Sequence, residues 1–275
     1  MSAGPTAVQP IPRGVFARRV GRGLRDWVPA VVVFLLGLAA WEFGVKALDV
    51  QNFLLPPLSD ILDSFWDDRS GLLSAAWFTF KEALGGYLIG CSAGILVALL
   101  LARFRSLASA VMPYAIAANA IPIIAFAPIM NNWFGLLSPA SKMAIAAVLC
   151  FFPVFVNTLK GLTSVRPASI ELMRSYAAGE VEIFRRVRLP TALPYVFTAL
   201  KVATVLAMIG AIVGDYFGGS QDSLGIVIRR DAGIFAFEHA WAAIVVASVI
   251  GILFYASVAF LERLVMRWHP STRTE

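Results

Sequence analysis

Long apolar runs alternate with short polar connections along most of this chain. Six runs have about the length that a helix needs to cross a bilayer, roughly 17–25 residues, and they lie at about 27–48, 84–101, 107–130, 140–159, 193–217 and 239–265. An amphipathic approach from residue 75 precedes the second run. The pattern predicts an all-α membrane protein with about six transmembrane helices.

Composition supports a membrane protein over a soluble domain. Of 275 residues, 59% are hydrophobic and 15% are charged, whereas soluble domains are nearer half apolar and a quarter charged. The net charge of +6 does not indicate nucleic-acid binding, because the arginines flank apolar runs and do not alternate with aromatic residues along one face. Cys91 and Cys150 fall inside apolar runs, so we expect small buried side chains and no disulfide.

Positive charge is concentrated at alternate connections, which predicts the orientation of the chain. Arginines cluster before the first run, between the second and third runs, in the segment 164–190 and after the last run. The other connections are mainly acidic or neutral, although Arg229 and Arg230 accompany the acidic residues before the last run. Both termini and the segment 164–190 are therefore predicted to be cytoplasmic. The predicted organisation is a partly disordered cytoplasmic tail at 1–26, a transmembrane domain at 27–269 and a C-terminal tail at 270–275.

The segment 164–190 is an amphipathic, positively charged stretch between the fourth and fifth runs. Its apolar side chains recur at helical spacing, and Pro190 and Pro194 are expected to end the helix before the next run begins. From the residues alone, a solvated or interfacial helix is equally consistent with this pattern.

The residues from Glu171 to Leu189-Pro190 resemble the cytoplasmic coupling loop of bacterial ATP-binding-cassette importer permeases, in which Glu-Ala-Ala precedes a Gly and a later Leu-Pro. Leu172-Met173 replaces the alanine pair and Ala177 stands where that family has glycine, so Gly179 is expected to supply the turn. The resemblance implies a loop that inserts into a groove of a separate ATPase subunit. The implied coupling residues are Glu171, Ser175, Ala177, Gly179, Arg185, Leu189 and Pro190.

Over 27–269 the chain resembles the permeases of nitrate, taurine and alkanesulfonate importers. The segments SKMAIAAVLCFFPVFVNTLKGL, SYAAGEVEIFRRVRLPTALPYVF and NNWFG resemble the branch associated with thiamine-pyrimidine precursors and riboflavin. The resemblance implies a multi-pass protein of the bacterial cytoplasmic (inner) membrane and a homodimer of permease subunits. It also implies two cytoplasmic ATPase subunits that use ATP and Mg²⁺, and an extracytoplasmic substrate-binding protein. This chain carries no Gly-x-x-x-x-Gly-Lys-Ser/Thr loop, so we expect the ATPase to be another polypeptide and this chain to hold no cofactor.

Polar residues within or beside the apolar runs are candidates for the translocation path, because burying them in a bilayer is costly. These candidates are Asn119, Asn131, Asn132 and Asp215. Asn119 could instead form a hydrogen bond between helices. Asp215 is expected to contact water or the path, and its lack of an apparent Lys or Arg partner favours a neutral heterocycle, with alkanesulfonate, taurine and nitrate as alternatives. Lys201 is expected to extend its ammonium toward the cytoplasmic surface.

Other features indicate ordinary helix packing or exclude other classes of protein. Gly86, Gly90 and Gly94 recur every fourth residue and predict close approach of a neighbouring helix. His239 and His269 have no metal-binding motif around them, so no metal site and no catalytic residue are expected. An ATP-independent secondary transporter remains the alternative class, although the paired intramembrane charges expected of one are not evident in the sequence.

Overall fold

The computed structural model describes residues 15–118, 122–220 and 222–266. Within these residues the chain is helical, with short connections and no strand, which confirms the all-α prediction. The helices are α1 (Val15–Ala47), α2 (Leu58–Asp67), α3 (Arg69–Ala102), α4 (Arg105–Ala118), α5 (Ile123–Phe134), α6 (Pro139–Thr163), α7 (Pro167–Ser175), α8 (Glu180–Ile183), a π-helical turn (Phe184–Arg188), α9 (Leu189–Gly218), α10 (Leu224–Gly233) and α11 (Phe237–Val265).

Five helical stretches in the described residues are long and apolar enough to cross a membrane, and they match five of the six predicted runs. The stretches are Val28–Ala47, Arg69–Ala102, Pro139–Thr163, Glu180–Gly218 and Phe237–Val265. The predicted run at 107–130 is not one continuous helix, because it contains the separate helices α4 and α5, of 14 and 12 residues. Pro122, the residue before α5, has an extended backbone with a ψ of 119°, so the helix is interrupted there. The predicted count of about six spans is therefore not confirmed.

The chain divides into two compact units, Met1–Asp60 and Ile61–Glu275. In the described part of the first unit, the connection after α1 is held to that helix by side chains. Trp41 Nε1 donates a hydrogen bond to the Pro56 carbonyl at 3.1 Å, and the Glu42 carboxylate accepts one from the Ser59 amide at 3.1 Å. Helix α1 begins at Val15, so part of the predicted N-terminal tail is helical.

The core of the second unit is formed where α3, α6 and α9 pack together through small residues. A Cβ atom added to Gly90 would lie 2.2 Å from the Ala147 carbonyl oxygen, and one added to Gly86 would lie 2.4 Å from the Ala146 Cβ. These distances confirm that the glycine face of α3 allows a close approach of α6. Cys91 and Cys150 are buried and free, as predicted.

Lys201 is held within the helix bundle by an ion pair. Its ammonium lies 2.6 Å from Glu262 Oε2, and the two side chains are 21% and 12% exposed. The pair connects α9 to α11 and gives Lys201 a charged partner, while part of its side chain stays exposed.

A second polar connection joins α10 to the first turn of α11. The buried Asp231 carboxylate accepts a hydrogen bond from Arg230 Nε at 2.7 Å and lies 2.5 Å from His239 Nδ1. Burial by itself would raise the pKa of Asp231, but the hydrogen bonds from Arg230 and His239 outweigh burial and hold that pKa below its ordinary value of 3.8.

This lowered pKa makes the ionised Asp231 stabilising at neutral pH, and the stabilisation is lost as the pH falls below about 4. We expect Asp231→Asn to lower stability at pH 7 by about 2 kcal/mol and to have a smaller effect near pH 3. Thermal unfolding of the purified protein at several pH values measures this difference. The exposed Asp67→Asn is the control, and an Asp231→Asn penalty that does not change with pH would contradict the expectation.

Candidate functional site

The segment 164–190 forms a helical elbow that leads directly into α9. Helix α7 begins at Pro167, a position where proline is favoured because the first helical amide needs no intrahelical partner. From Glu180 the chain is helical through α8, the π-helical turn and α9 to Gly218. Pro190 and Pro194 do not end the helix as expected. Pro190 lies in the first turn of α9, where its missing amide is tolerated, and the π-helical turn precedes it.

The predicted coupling residues in this segment are mostly exposed. Glu171, Ser175 and Arg185 are exposed, and Leu189 is 40% exposed. Arg174 Nη2 lies 2.9 Å from Glu180 Oε1, which ties α7 to α8. Within the described residues Glu171 has no ion pair, so its carboxylate is available to another protein.

The turn that follows α7 is made by Ala177. This residue has a φ of +58°, in the left-handed region, whereas Gly179 has a φ of −74°. The Ala177 amide donates to the Arg174 carbonyl at 2.9 Å and the Ala178 amide donates to the Met173 carbonyl at 3.1 Å, which closes the helix end in a Schellman-like pattern. The expectation that Gly179 supplies the turn is therefore wrong, because the helix end places the left-handed residue two positions earlier.

Ala177→Gly is expected to stabilise the elbow by about 1 kcal/mol, because an L-residue with a side chain is strained in the left-handed region. Thermal unfolding of the purified protein measures the change. Ala178→Gly is the matched control, since Ala178 has no positive φ and a glycine there should be neutral or destabilising. Equal destabilisation by both variants would contradict the assigned turn.

A groove of about 570 Å³ lies between the elbow and the adjacent ends of α3 and α6. Apolar residues of the helix ends and five charged residues line it, and the charged ones are Arg103, Glu171, Arg174, Glu180 and Arg188. The elbow therefore presents an exposed charged surface and is backed by the ends of the membrane helices. Such a surface is suited to docking against a separate water-soluble protein.

A second group of polar side chains lies toward the opposite end of the same helices. We call Thr79, Glu82, Asn131, Lys142 and Asp215 the polar cluster, and each is at most 5% exposed. The cluster combines side chains from α3, α5, α6 and α9.

Hydrogen bonds of the polar cluster connect these helices to each other and to α10. Thr79 Oγ1 donates to Asp215 Oδ2 at 2.9 Å and accepts from the Leu224 amide at 3.0 Å. Lys142 Nζ donates to the Leu136 carbonyl at 2.5 Å and also to the Gly218 carbonyl. Thr79 therefore joins α3 to α9 and α10, while Lys142 joins α6 to the C-terminal end of α9.

The four predicted path residues lie in different environments. Asn131 is buried, and neither of its side-chain amide atoms has a partner among the described residues. Asn132 is exposed and Asp215 is fully buried, while Asn119 lies outside the described residues. Asp215 does not contact water in this structure, because Thr79 and the start of α10 enclose it, and its place on the translocation path stays a prediction. Asp215 also has a basic neighbour that the sequence did not reveal, since Lys142 interacts with it electrostatically.

Sequence reasoning missed Thr79, Glu82 and Lys142, because they lie at the margins of the apolar runs. Four-residue spacing was the available signal. In each central helix, a charged residue lies one turn beyond a row of small residues spaced four apart. The rows are Gly94, Gly90, Gly86 and then Glu82 in α3; Cys150, Ala146 and then Lys142 in α6; and Ala203, Ala207, Ala211 and then Asp215 in α9.

Comparison with known proteins places these sites in a family context. Residues 90–267 match the model for the binding-protein-dependent transport system inner membrane component. The chain is 32% identical over 242 residues to the riboflavin transport system permease protein of Chloroflexus aurantiacus, with 87% of this chain and 90% of that protein covered. It is 34% identical over 236 residues to the formylaminopyrimidine transport permease protein of Halalkalibacterium halodurans, with 86% of this chain and 93% of that protein covered.

A solved structure has the same fold at lower sequence identity. The bacterial ABC transporter involved in the import of the acidic polysaccharide alginate aligns with a TM-score of 0.57 and 16% identity, over 90% of this chain and 99% of that chain.

Proposed function

Because the chain belongs to the family of inner membrane components of binding-protein-dependent transport systems, and is thus a multi-pass permease of the inner membrane, we propose that it carries a small solute inward when a separate ATPase hydrolyses ATP. In this proposal two copies of the chain form the pathway, and an extracytoplasmic binding protein delivers the solute. The ATPase subunits supply ATP and Mg²⁺ chemistry, and this chain supplies the path and the coupling.

The elbow at 164–190 is the observation that carries the proposal. Its predicted coupling residues are mostly exposed, and Glu171 has no ion pair within the described residues. From Glu180 the elbow continues without a helical break into α9, whose 30 residues extend about 45 Å. A continuous helix can transmit a displacement from one end to the other. Because α9 packs along α3 and α6, its displacement would also shift its contacts with those two helices. Closure of the ATPase pair would therefore move the elbow and change the arrangement of the helix ends near the polar cluster.

Relatives supply the proposed solute class. The two relatives described above carry names that refer to riboflavin and formylaminopyrimidine, so we propose a riboflavin-like or thiamine-pyrimidine-like heterocycle for this chain. Asp215 does not contribute to this choice as expected, because it is buried and has Lys142 near it. Alkanesulfonate, taurine and nitrate are the alternative solutes for the same machinery.

Uptake of labelled solutes by cells that lack their own importers tests the solute class. Cells that express this permease with its cognate ATPase and binding protein should accumulate riboflavin or formylaminopyrimidine, and an excess of taurine or nitrate should not compete. Cells without the permease are the control. Uptake of taurine, nitrate or an alkanesulfonate in preference to the heterocycles would overturn the solute assignment and leave the transport mechanism intact.

The polar cluster is the observation that favours the alternative class, an ATP-independent secondary transporter. Intramembrane charges of this kind are common in such transporters. Affinity purification of the tagged chain, coexpressed with its cognate ATPase, distinguishes the two classes. We expect a stable complex that contains both subunits, whereas a permease that is purified alone and still transports would favour the alternative.

A further inference from the structure

Two carboxyl groups of the polar cluster are buried against each other. Glu82 is 2% exposed and Asp215 is 0% exposed. Thr79, three residues before Glu82 on the same helix, donates a hydrogen bond to Asp215 Oδ2 at 2.9 Å, so the two carboxyl groups are neighbours and interact electrostatically. Glu82 Oε2 and Asp215 Oδ1 are buried and receive no hydrogen bond from any described residue. An ionised carboxylate can only accept hydrogen bonds, so two carboxyl groups in contact need a proton between them.

The charges around this pair lead to the same conclusion. Lys142 is fully buried on α6 and interacts electrostatically with both carboxyl groups, although its ammonium makes no ion pair with either of them in the described residues. Two ionised carboxylates beside one ammonium would leave a net negative charge inside the protein, and an uncompensated buried charge is strongly destabilising. One shared proton makes the group electrically neutral.

The other groups that face the pair cannot replace this proton. Thr79 donates its hydroxyl hydrogen to Asp215 Oδ2, and the Ser223 hydroxyl donates to the Ser220 carbonyl at 2.9 Å and also faces Asp215. Lys81 interacts with Glu82 only at a distance, because its side chain is exposed on α3. Lys142 donates two of its three ammonium hydrogens to the Leu136 and Gly218 carbonyls, and in the described residues it makes no hydrogen bond to either carboxyl group.

We propose that Glu82 and Asp215 form a proton-binding site that holds one proton at neutral pH, so that Glu82, Asp215 and Lys142 together form a neutral lock among α3, α6 and α9. The lock lies at the end of α9 opposite the elbow. A movement of α9 relative to α3 would separate the two carboxyl groups, and the protein would then have to lose the shared proton or admit water. The lock therefore opposes rearrangement of these helix ends until the elbow moves.

Charge-matched variants of the full permease, purified with its ATPase partner, test this site. Glu82→Gln imitates the protonated acid and preserves neutrality, so we expect its melting temperature to stay within about 2 °C of the original protein. The double variant Glu82→Gln, Asp215→Asn leaves Lys142 uncompensated, and we expect a loss of about 10 °C. Adding Lys142→Met to the double variant should recover about half of that loss, since the buried charge is removed although two carbonyls lose their donor.

Infrared spectroscopy provides a direct readout that does not depend on activity or on small changes in stability. The carbonyl stretch of a protonated carboxylic acid, shifted in heavy water, should be present at neutral pH and absent in Glu82→Gln and in Asp215→Asn. The exposed Asp67→Asn should leave it unchanged.

Two results would overturn the proposal. The first is the absence of this band from the original protein together with strong destabilisation by Glu82→Gln, which would mean that both carboxylates are ionised. The second is a melting temperature that rises with Na⁺ or K⁺ concentration only while Glu82 is present, which would assign the site to a metal cation.

Discussion

Glu171→Arg is expected to abolish most ATP-coupled uptake while the protein still inserts and folds. Glu171 is exposed on α7 and unpaired within the described residues, so reversing its charge costs the permease itself little. At a docked interface, however, a reversed charge meets the groups that were complementary to the original one, and such a juxtaposition costs several kcal/mol. We expect at least a tenfold loss of uptake, about 1.4 kcal/mol or more.

Proteoliposomes that contain the complete importer allow uptake and ATP hydrolysis to be measured together. Uptake per ATP hydrolysed should fall in Glu171→Arg, or the ATPase should dissociate from the permease. Asp67→Arg is the control. Asp67 is also exposed and acidic, but it lies just before the N-terminal end of α3, whereas the elbow lies beside the C-terminal end of α3. Normal coupled uptake by Glu171→Arg would remove the assigned role of the elbow.

Gly90→Leu is expected to prevent α3 and α6 from packing. The first added atom would lie 2.2 Å from the Ala147 carbonyl oxygen and 2.9 Å from the Ala147 Cα, and both are backbone atoms that cannot rotate away. Overpacking of this kind typically costs 1–3 kcal/mol, and a backbone contact on a central helix should reach about 3 kcal/mol or more. Size-exclusion chromatography and thermal unfolding in detergent should show little folded protein.

Gly37→Leu is the matched control for this variant. Gly37 is also helical, in α1, and a Cβ atom there would meet nothing within 4 Å. We expect Gly37→Leu to behave like the original protein. If Gly90→Leu and Gly37→Leu unfold at the same temperature, the close approach of α3 and α6 is not required for folding.

Local spacing predicted the parts of this fold that depend on one helix face. The four-residue repeat of Gly86, Gly90 and Gly94 requires no knowledge of the partner helix, because a face without side chains permits close approach to any neighbour. The structure adds that the neighbour is α6. Hydropathy likewise located five long helices, since each has an uninterrupted apolar sequence.

Features that depend on backbone geometry were not predictable in the same way. Hydropathy over 107–130 does not distinguish one kinked helix from two short ones, and Pro122 decides this in favour of two. The turn after α7 was expected at Gly179 from glycine preference, but the register of the helix end places it at Ala177. In both cases a local backbone requirement overrides a compositional signal.

The three charged residues of the polar cluster required knowledge of three helices at once. Glu82, Lys142 and Asp215 each lie near the end of an apolar run, where a charged residue ordinarily contacts water. Only the packing of α3, α6 and α9 shows that these ends are covered, by α10 and by the turn that follows α5. The sequence therefore suggested the elbow as a functional site and gave little indication of the lock.

Transport by the purified components measures the central claim most directly. The permease is reconstituted with its cognate ATPase in proteoliposomes that contain ATP and Mg²⁺, and the loaded binding protein is added outside. We predict that labelled solute accumulates only when ATP is hydrolysed, and that ADP or a non-hydrolysable ATP analogue gives no accumulation. Accumulation driven by a proton or sodium gradient without ATP would contradict the assignment of this chain as an ATP-driven permease.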